Sequence, residues 1–531
     1  MRRLLAPFAL FLLFIGSAPA AVGPPRLLGL SISNGGRPFL GDTRQLATVS
    51  PNGDGLRDRA LVRFHLDQAA RVDIKVLATS SVGKQPSVVW RLRRTLAPGP
   101  QALTWKPARD TPDRTYLLRF VVRNRHGSRV YGFERPRAGR TTSGLVVRIL
   151  GVDVAFQQRS YVLGSQASAS IATDARSVHA QFFGYPGAGE LDPKTGASAM
   201  TPAVTLDWRG HRAAPHSVDF GGSETWASGL YFLRVTTSDG RMGYAPVVLR
   251  PRRLGEHRVA VVLPTNTWQA GNLRDTNGDG WGDSWYVSGR QRSVDLTRPF
   301  LDFGIPFRFH DWDLTFLTWL QQTGKQVDYL TDQDLDAVAN GDALVRAYDL
   351  VVFPGHEEYV TEHELDVITR FRDLGGNLAF LAANDMFWHV RVDGALMTKV
   401  GLWRDSGRPE SALVGARYVG SNHGAVQKPF VVTGALQAPW LFAGTGLVNG
   451  STFGRYGIEI DAEGRSSPSG TIVLARIPDL LGHGKSAEMT YYETPAGARV
   501  FAAGALNFAA SATQFPVSAM LENLWARLSE P

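Results

Sequence analysis

The sequence predicts a multidomain chain: two N-terminal β-sandwich modules followed by a C-terminal α/β domain on a doubly wound parallel sheet. Three observations predict this. At 531 residues the chain has room for three or so domains of ordinary size, about 100–200 residues each. Its first half consists of short apolar–polar alternations broken by turns. Its second half changes to continuous apolar runs separated by segments of helical period. The expected boundaries are residues 27–150, 151–250 and 256–531, after a leader over residues 1–20.

The leader comes first. Met1-Arg2-Arg3 is a cationic start, Leu4 to Ile15 is apolar, and Ser17-Ala18-Pro19-Ala20 supplies small residues for cleavage. That pattern is a secretory signal peptide, which places the mature protein outside the cell. The apolar run is shorter than the ~20 residues that span a bilayer, and no other segment is longer, so no stable membrane insertion is expected.

From Leu27 to Ile149 the alternating runs Ala60–Leu66, Arg71–Val76 and Thr115–Val122 read as strands of one sandwich. Residues 151–250 repeat the style and close with Ser228 to Val235. Pro251 to Gly255 reads as a linker. Beyond it, Arg258 to Pro264 and Asp349 to Gly355 each carry a continuous apolar run after their first residue, as strands covered on both faces do. Val327 to Leu330 and Asn377 to Asn384 add two more strands, and Asp313 to Gln322 a helix. Thr361 to Leu374 is the clearest helix, with Thr361 and Glu364 forming a capping box and Gly375-Gly376 ending it. Arg499 to Phe508 supplies a late strand and Val517 to Leu528 a closing helix.

Composition narrows the chemistry. With 44% hydrophobic and 20% charged residues, wholesale disorder and collagen are excluded. The chain has no cysteine, which removes disulfides, thiolate metal sites and cysteine nucleophiles. The net charge of +9 comes from scattered arginines without a basic run interleaved with aromatics, so a nucleic-acid partner is not expected.

In parallel α/β sheets, ligands bind beyond the carboxyl ends of the strands. That rule selects Thr265 to Gly271, Gly355-His356-Glu357-Glu358-Tyr359 and Asn384-Asp385. Two carboxylates beside an imidazole can bind a metal, or serve as acid and base once burial shifts their pKa values. The bland alternative is a solvated turn entering the Thr361 helix, where acids favour the N-terminus. A second metal signal is Asp275-Thr276-Asn277-Gly278-Asp279-Gly280-Trp281-Gly282-Asp283. Asp275, Asn277, Asp279 and Asp283 fall at positions one, three, five and nine of an EF-hand-type calcium loop, with Tyr286 at position twelve in place of the bidentate glutamate. An Asx-rich turn is the alternative. Esterase elbows, zincin helices, phosphate loops and dinucleotide fingerprints are absent from the sequence.

Two resemblances bear on function. Ser50-Pro51-Asn52-Gly53-Asp54-Gly55, Asp58, Trp105 and the Tyr116 strand resemble the immunoglobulin-like modules of flagellar hook-cap type found in secreted bacterial proteins. From Arg258 onward, Pro264-Thr265-Asn266-Thr267-Trp268-Gln269-Ala270, Ser284-Trp285-Tyr286, Arg298-Pro299, Gly355-His356-Glu357-Glu358-Tyr359, Gly375-Gly376-Asn377-Leu378 and Asn384 with Trp388 recur in one order. This resembles the C-terminal domain of the large (β) subunit of N,N-dimethylformamidase. The resemblance implies a glutamine amidotransferase-like fold without its cysteine nucleophile, and a mononuclear iron held by two tyrosines and a glutamate. Glu358 matches the glutamate and Tyr286 one tyrosine; Gly271 stands where the second tyrosine would be. The expected activity is metal-assisted hydrolysis of an amide C–N bond in a small molecule, with iron at Tyr286 and Glu358, His356 or Glu357 carrying the proton, and Asn384 in the site. The competing expectation is a non-catalytic extracellular protein that binds a ligand, polymer or glycan. Oligomeric state is not legible.

Overall fold

The computed structural model describes residues 23–79, 86–132, 144–185, 187, 189–222, 225–287 and 291–530. The leader expected over residues 1–20 lies outside them. Among the described residues, no helix is long and apolar enough to cross a membrane.

Two sheets form the first module. Leu27–Ser33, Ala60–Leu66 and Gly99–Trp105 make one, and Leu46–Val49, Leu145–Ile149, Thr115–Asn124, Ala70–Ala78 and Ser87–Leu96 the other. Alternation does the work here: in Ala60–Leu66 every second side chain, Ala60, Val62, Phe64 and Leu66, is buried. These meet Ile74, Val76, Tyr116 and Phe120 of the facing sheet in one core. The Tyr116 hydroxyl donates to the Pro112 carbonyl four residues upstream at 2.9 Å.

The second module repeats the arrangement. Val152–Phe156, Ala167–Thr173 and His216–Phe220 face a sheet containing Ser160–Val162, Met242–Arg250, Gly229–Thr237 and Ser177–Tyr185. Tyr231 donates to the Ala227 carbonyl, again four residues back, at 2.8 Å. This second sheet is apolar on both faces. Tyr231, Leu233 and Val235 fill the sandwich, while Phe183, Leu230, Phe232 and Tyr244 join the core of the C-terminal part. Phe232 meets the Phe309 ring edge-on at 5.5 Å. Residues 151–250 are therefore packed into the C-terminal part, not merely tethered to it by a linker.

The C-terminal part corrects the fold expected from sequence. Its main sheet has nine strands in the order Asp328–Thr331, Val259–Leu263, Leu350–Phe353, Asn377–Phe380, Arg499–Ala502, Ala487–Glu493, Ile472–Ile477, Gln427–Val432, Thr452–Gly457. The first four pairings are parallel and the last four antiparallel. It is a mixed sheet in a chain dominated by strands, and neither a doubly wound sheet nor a glutamine amidotransferase-like domain is evident. The physical reason lies between Phe380 and Arg499. There the chain lays down Gln427–Val432, Thr452–Gly457, Ile472–Ile477 and Ala487–Glu493 as antiparallel neighbours, a pairing that needs no helical crossover. Two smaller sheets flank the main one: Ser293–Asp295, Leu396–Leu402, Trp388–Asp393, Tyr359–Val360, and the pair Arg417–Ser421, Glu459–Ala462.

Several elements do lie where the periodicity predicts. Thr361 caps the helix Glu362–Asp373 with a full capping box to Glu364, and Val517–Leu528 is helical throughout. Thr265–Gly271, read from sequence as a strand-end loop, is a fully buried helix. The late strand is shorter than expected, ending at Ala502.

Candidate functional site

The turn after Leu350–Phe353 carries the site. Gly355 is required at its start, because a Cβ there would lie 2.1 Å from Asp313 Oδ1. The turn is held from three sides. The Glu358 amide donates to Thr267 Oγ1 at 3.1 Å, the Glu357 amide to Asp385 Oδ1 at 3.1 Å, and the Met386 amide to the Glu357 carbonyl at 2.7 Å. Asn384 has φ +60°, a left-handed conformation that asparagine tolerates better than most residues. Both oxygens of Asp461 accept from its amide, at 2.9 and 3.0 Å.

Five side chains meet here. The Tyr286 hydroxyl donates to Glu358 Oε2 at 2.6 Å. His356 Nε2 lies 3.6 Å from Glu358 Oε2 and 3.5 Å from Glu459 Oε2. Asn384 Nδ2 donates to that same Glu459 oxygen at 2.8 Å. His356 is 2% exposed and Glu358 5%, so these charges interact with little screening. Burial alone would depress the imidazole, but the Glu358 carboxylate and then Glu459 outweigh it and raise His356 to about 9. Burial raises Glu358 as well. Burial also acts on Glu459, yet the nearby imidazolium and the Asn384 amide hold its carboxyl below the ordinary range. These directions favour a protonated His356 beside an ionised Glu459 at neutral pH. Both ring nitrogens of His356 and Oδ1 of Asn384 are buried without a hydrogen-bond partner, which is uncommon outside functional sites.

Aromatic rings wall the site. Trp312 lies edge-on to His356 at 5.6 Å, Phe307 bridges Tyr286 and Trp312, and Phe387 packs on Tyr418 opposite. Lys399 sits over the rings of Trp388, Trp285 and Tyr359 at 3.9, 4.7 and 5.1 Å, and burial lowers its ammonium pKa.

The iron implied by the resemblance needs two phenols and a carboxylate. Tyr286 and Glu358 are together as that set requires. Gly271, however, offers no ligand, and a Cβ added to it would lie 2.9 Å from Tyr286 Cε2; the Tyr286 ring covers the direction from which a second phenol would enter. Tyr359 provides another buried phenol, which burial first and then the Glu358 charge push well above its ordinary value, and it lies within hydrogen-bonding reach of both Glu358 and Tyr286. The ligand set as the resemblance assigns it is therefore broken at Gly271, although a second phenol, Tyr359, stands beside Tyr286 and Glu358.

The remaining sequence candidates separate. Glu357 turns away from its neighbour Glu358: its carboxylate lies with those of Asp332 and Glu364, all buried, their oxygens within 4.8 Å of one another. In the Asp275–Asp283 loop the side chains engage their own backbone. Asp275 accepts from the Gly278 and Gly280 amides at 2.8 Å each, Asn277 from Asp279 at 2.8 Å, and Asp283 from Thr276 at 2.7 Å. Trp281 of this loop is buried against Leu46, Leu77, Leu117 and Val146 of the first module. Glu459 and Asp461, whose direction no sequence pattern reveals, belong to the site because Glu459–Ala462 pairs with Arg417–Ser421 beside it. Tyr456, three residues before Glu459, packs instead on Phe430 in the core.

Residues 188–517 match the family model described as N,N-dimethylformamidase beta subunit-like, C-terminal. The match begins inside the second β module, in keeping with the core that module shares with the mixed sheet. N,N-dimethylformamidase beta subunits of Alcaligenes sp and Paracoccus aminophilus are each 36% identical over 80 residues. Those alignments cover 15% of this chain and only 10% of each relative. Among solved structures, Escherichia coli alpha-2-macroglobulin activated by porcine elastase aligns over 43% of this chain and 20% of its own, at 8% identity and a TM-score of 0.17. CBD12 from CALX1.2 aligns over 36% and 79%, at 11% identity and 0.16. Likenesses that low carry no argument about the fold. The family match spans well over half of the chain and includes every residue of the site, and the chain belongs to the N,N-dimethylformamidase beta subunit-like C-terminal family, an amide-hydrolase-related family.

Proposed function

We propose that the chain is a secreted hydrolase of amide C–N bonds in small molecules, acting at His356, Glu358, Glu459, Asn384 and Tyr286. The observation that carries this reading is the buried imidazole of His356 set between two carboxylates, with the Tyr286 phenol on one of them. Glu459, kept ionised by the imidazolium, is the group that takes a proton from water. The water oxygen attacks the amide carbon. The His356 N–H stabilises the oxygen that gains charge and donates its proton to the nitrogen as the C–N bond breaks, leaving an acid and an amine; the proton held by Glu459 then passes to His356, 3.5 Å away. Tyr286 and Glu358 act as positioning residues that keep the imidazole charged. The aromatic walls suit small N-alkyl groups, and the N-terminal leader pattern supports secretion.

The test is amine release from a panel of primary and N-alkyl amides. Wild type is expected to turn over at least one, with Glu459→Gln and His356→Asn each reducing the rate about 100-fold or more. A second reading, binding of a ligand or glycan without turnover, is favoured by Gly271, which removes one ligand of the family's metal set. Saturable binding by wild type without amine release selects it.

A further inference from the structure

We infer that Asp332, Glu357 and Glu364 form a structural site for one hard divalent cation, separate from the His356–Glu358 cleft. The three residues are 1%, 1% and 0% exposed, and each offers an oxygen within 4.8 Å of the others. Proximity of acids alone would mean little. The second observation is how few of their oxygens are committed. Asp332 Oδ2 accepts from the Asn266 amide at 2.9 Å and from Thr265 Oγ1, and Glu364 Oε2 accepts from the Thr361 amide at 3.3 Å. Asp332 Oδ1, Glu364 Oε1 and both oxygens of the Glu357 side chain have no hydrogen-bond partner. A buried carboxylate with neither oxygen bonded is costly to leave so.

Charge and size agree with a divalent ion. Three carboxylates face one nearby cation, Arg159, whose Nη1 donates to Thr265 Oγ1 at 3.1 Å and to Asn266 Oδ1 at 2.5 Å. Fully ionised, the three would leave two negative charges unbalanced; burial and mutual repulsion oppose that by raising Glu357 and Glu364 well above the ordinary carboxyl range, and a divalent ion would supply the compensation. Ligands made only of carboxylate oxygen favour calcium, magnesium or manganese over softer ions. Calcium–oxygen bonds of about 2.3–2.6 Å place opposite ligands about 5 Å apart, so calcium suits the spacing without backbone movement. Such an ion would join the segments beyond two strands: Asp332 follows Asp328–Thr331, while Glu357 and Glu364 follow Leu350–Phe353. Thr265 and Asn266, beyond the intervening Val259–Leu263, hold Asp332 from the side. The ion would thus brace the turn whose next residue is Glu358, independently of whether that residue serves in hydrolysis.

The test uses the full chain after chelation, titrated separately with calcium, magnesium and manganese, following Tm and bound metal per chain. One ion is expected, with a rise in Tm; Glu357→Gln and Glu364→Gln should each weaken binding at least 10-fold. Asp279→Asn, in the Asp275–Asp283 loop, should retain the ion. Loss of the ion in Asp279→Asn but not in the glutamate variants overturns the assignment. So does a chain that binds no ion and shows a protonated-carboxyl infrared band that Glu357→Gln abolishes, since a shared proton then satisfies the cluster. Should Glu357→Gln not fold, Glu364→Gln and the metal count of wild type still decide.

Discussion

The Tyr286 hydroxyl donates a 2.6 Å hydrogen bond to Glu358 across 72 residues of chain. It links the turn after the first parallel strand's helix to the turn after Leu350–Phe353, and both partners lie in a water-poor environment. Hydrogen bonds to a charged group contribute about 1.5–3 kcal/mol. Tyr286→Phe is therefore expected to lower unfolding stability by about that amount, measured by denaturant titration, with a smaller effect when Glu358 is already glutamine. Equal losses in both backgrounds would mean that the two residues are not coupled.

His356 supplies a pH dependence whose sign is set by its neighbours. Its pKa is raised from the ordinary 6.5 to about 9, so the ring holds a proton in the folded chain that it has released when unfolded. Its contribution to stability is complete below pH 6.5 and is lost as pH rises through about 9. Wild-type Tm should fall across that interval more steeply than the Tm of His356→Asn. The imidazole ring signals in a proton NMR titration should move with a midpoint near 9; a midpoint near 6.5 would contradict the proposed ion cluster.

Gly271 allows a direct test of packing at the site. A Cβ there would stand 2.9 Å from Tyr286 Cε2 and 3.2 Å from Phe307 Cδ1. Gly271→Ala is expected to cost about 1–3 kcal/mol through overpacking, displacing the Tyr286 ring and weakening its bond to Glu358. In the background of Tyr286→Ala the same substitution should cost much less. A double-mutant cycle in urea measures that difference.

Trp281 tests the docking of the first module. Its ring is 8% exposed, against Leu46, Leu77, Leu117 and Val146, and the two glycines before it have φ of +72° and +87° where Leu46, Leu117 and Val146 crowd the loop. Trp281→Ala is expected to cost about 3–5 kcal/mol and to speed proteolytic release of residues 23–150. Amine release from the amide panel, where wild type shows it, should change less than tenfold, since the loop does not touch His356.

The sequence by itself determined the local choices. Alternation in Ala60–Leu66 marks a strand with one buried face; Thr361 and Glu364 announce the helix they begin; and the strand-end rule points at His356, Glu358 and Asn384, which do meet. Each of these depends on residues a few positions apart. Tertiary structure decided the rest. Gln427–Val432 through Ala487–Glu493 convert a sheet expected to be parallel into a mixed one, because pairing partners are chosen across long stretches of chain and not by local period. It also decided the partition of adjacent acids. Glu358 turns to Tyr286 and Glu357 to Asp332 and Glu364, since neighbouring side chains in a tight turn project in different directions and only the surrounding elements say what waits in each. Glu459 entered the site for the same reason: its place is set by a strand pairing with Arg417–Ser421 that no short sequence pattern encodes.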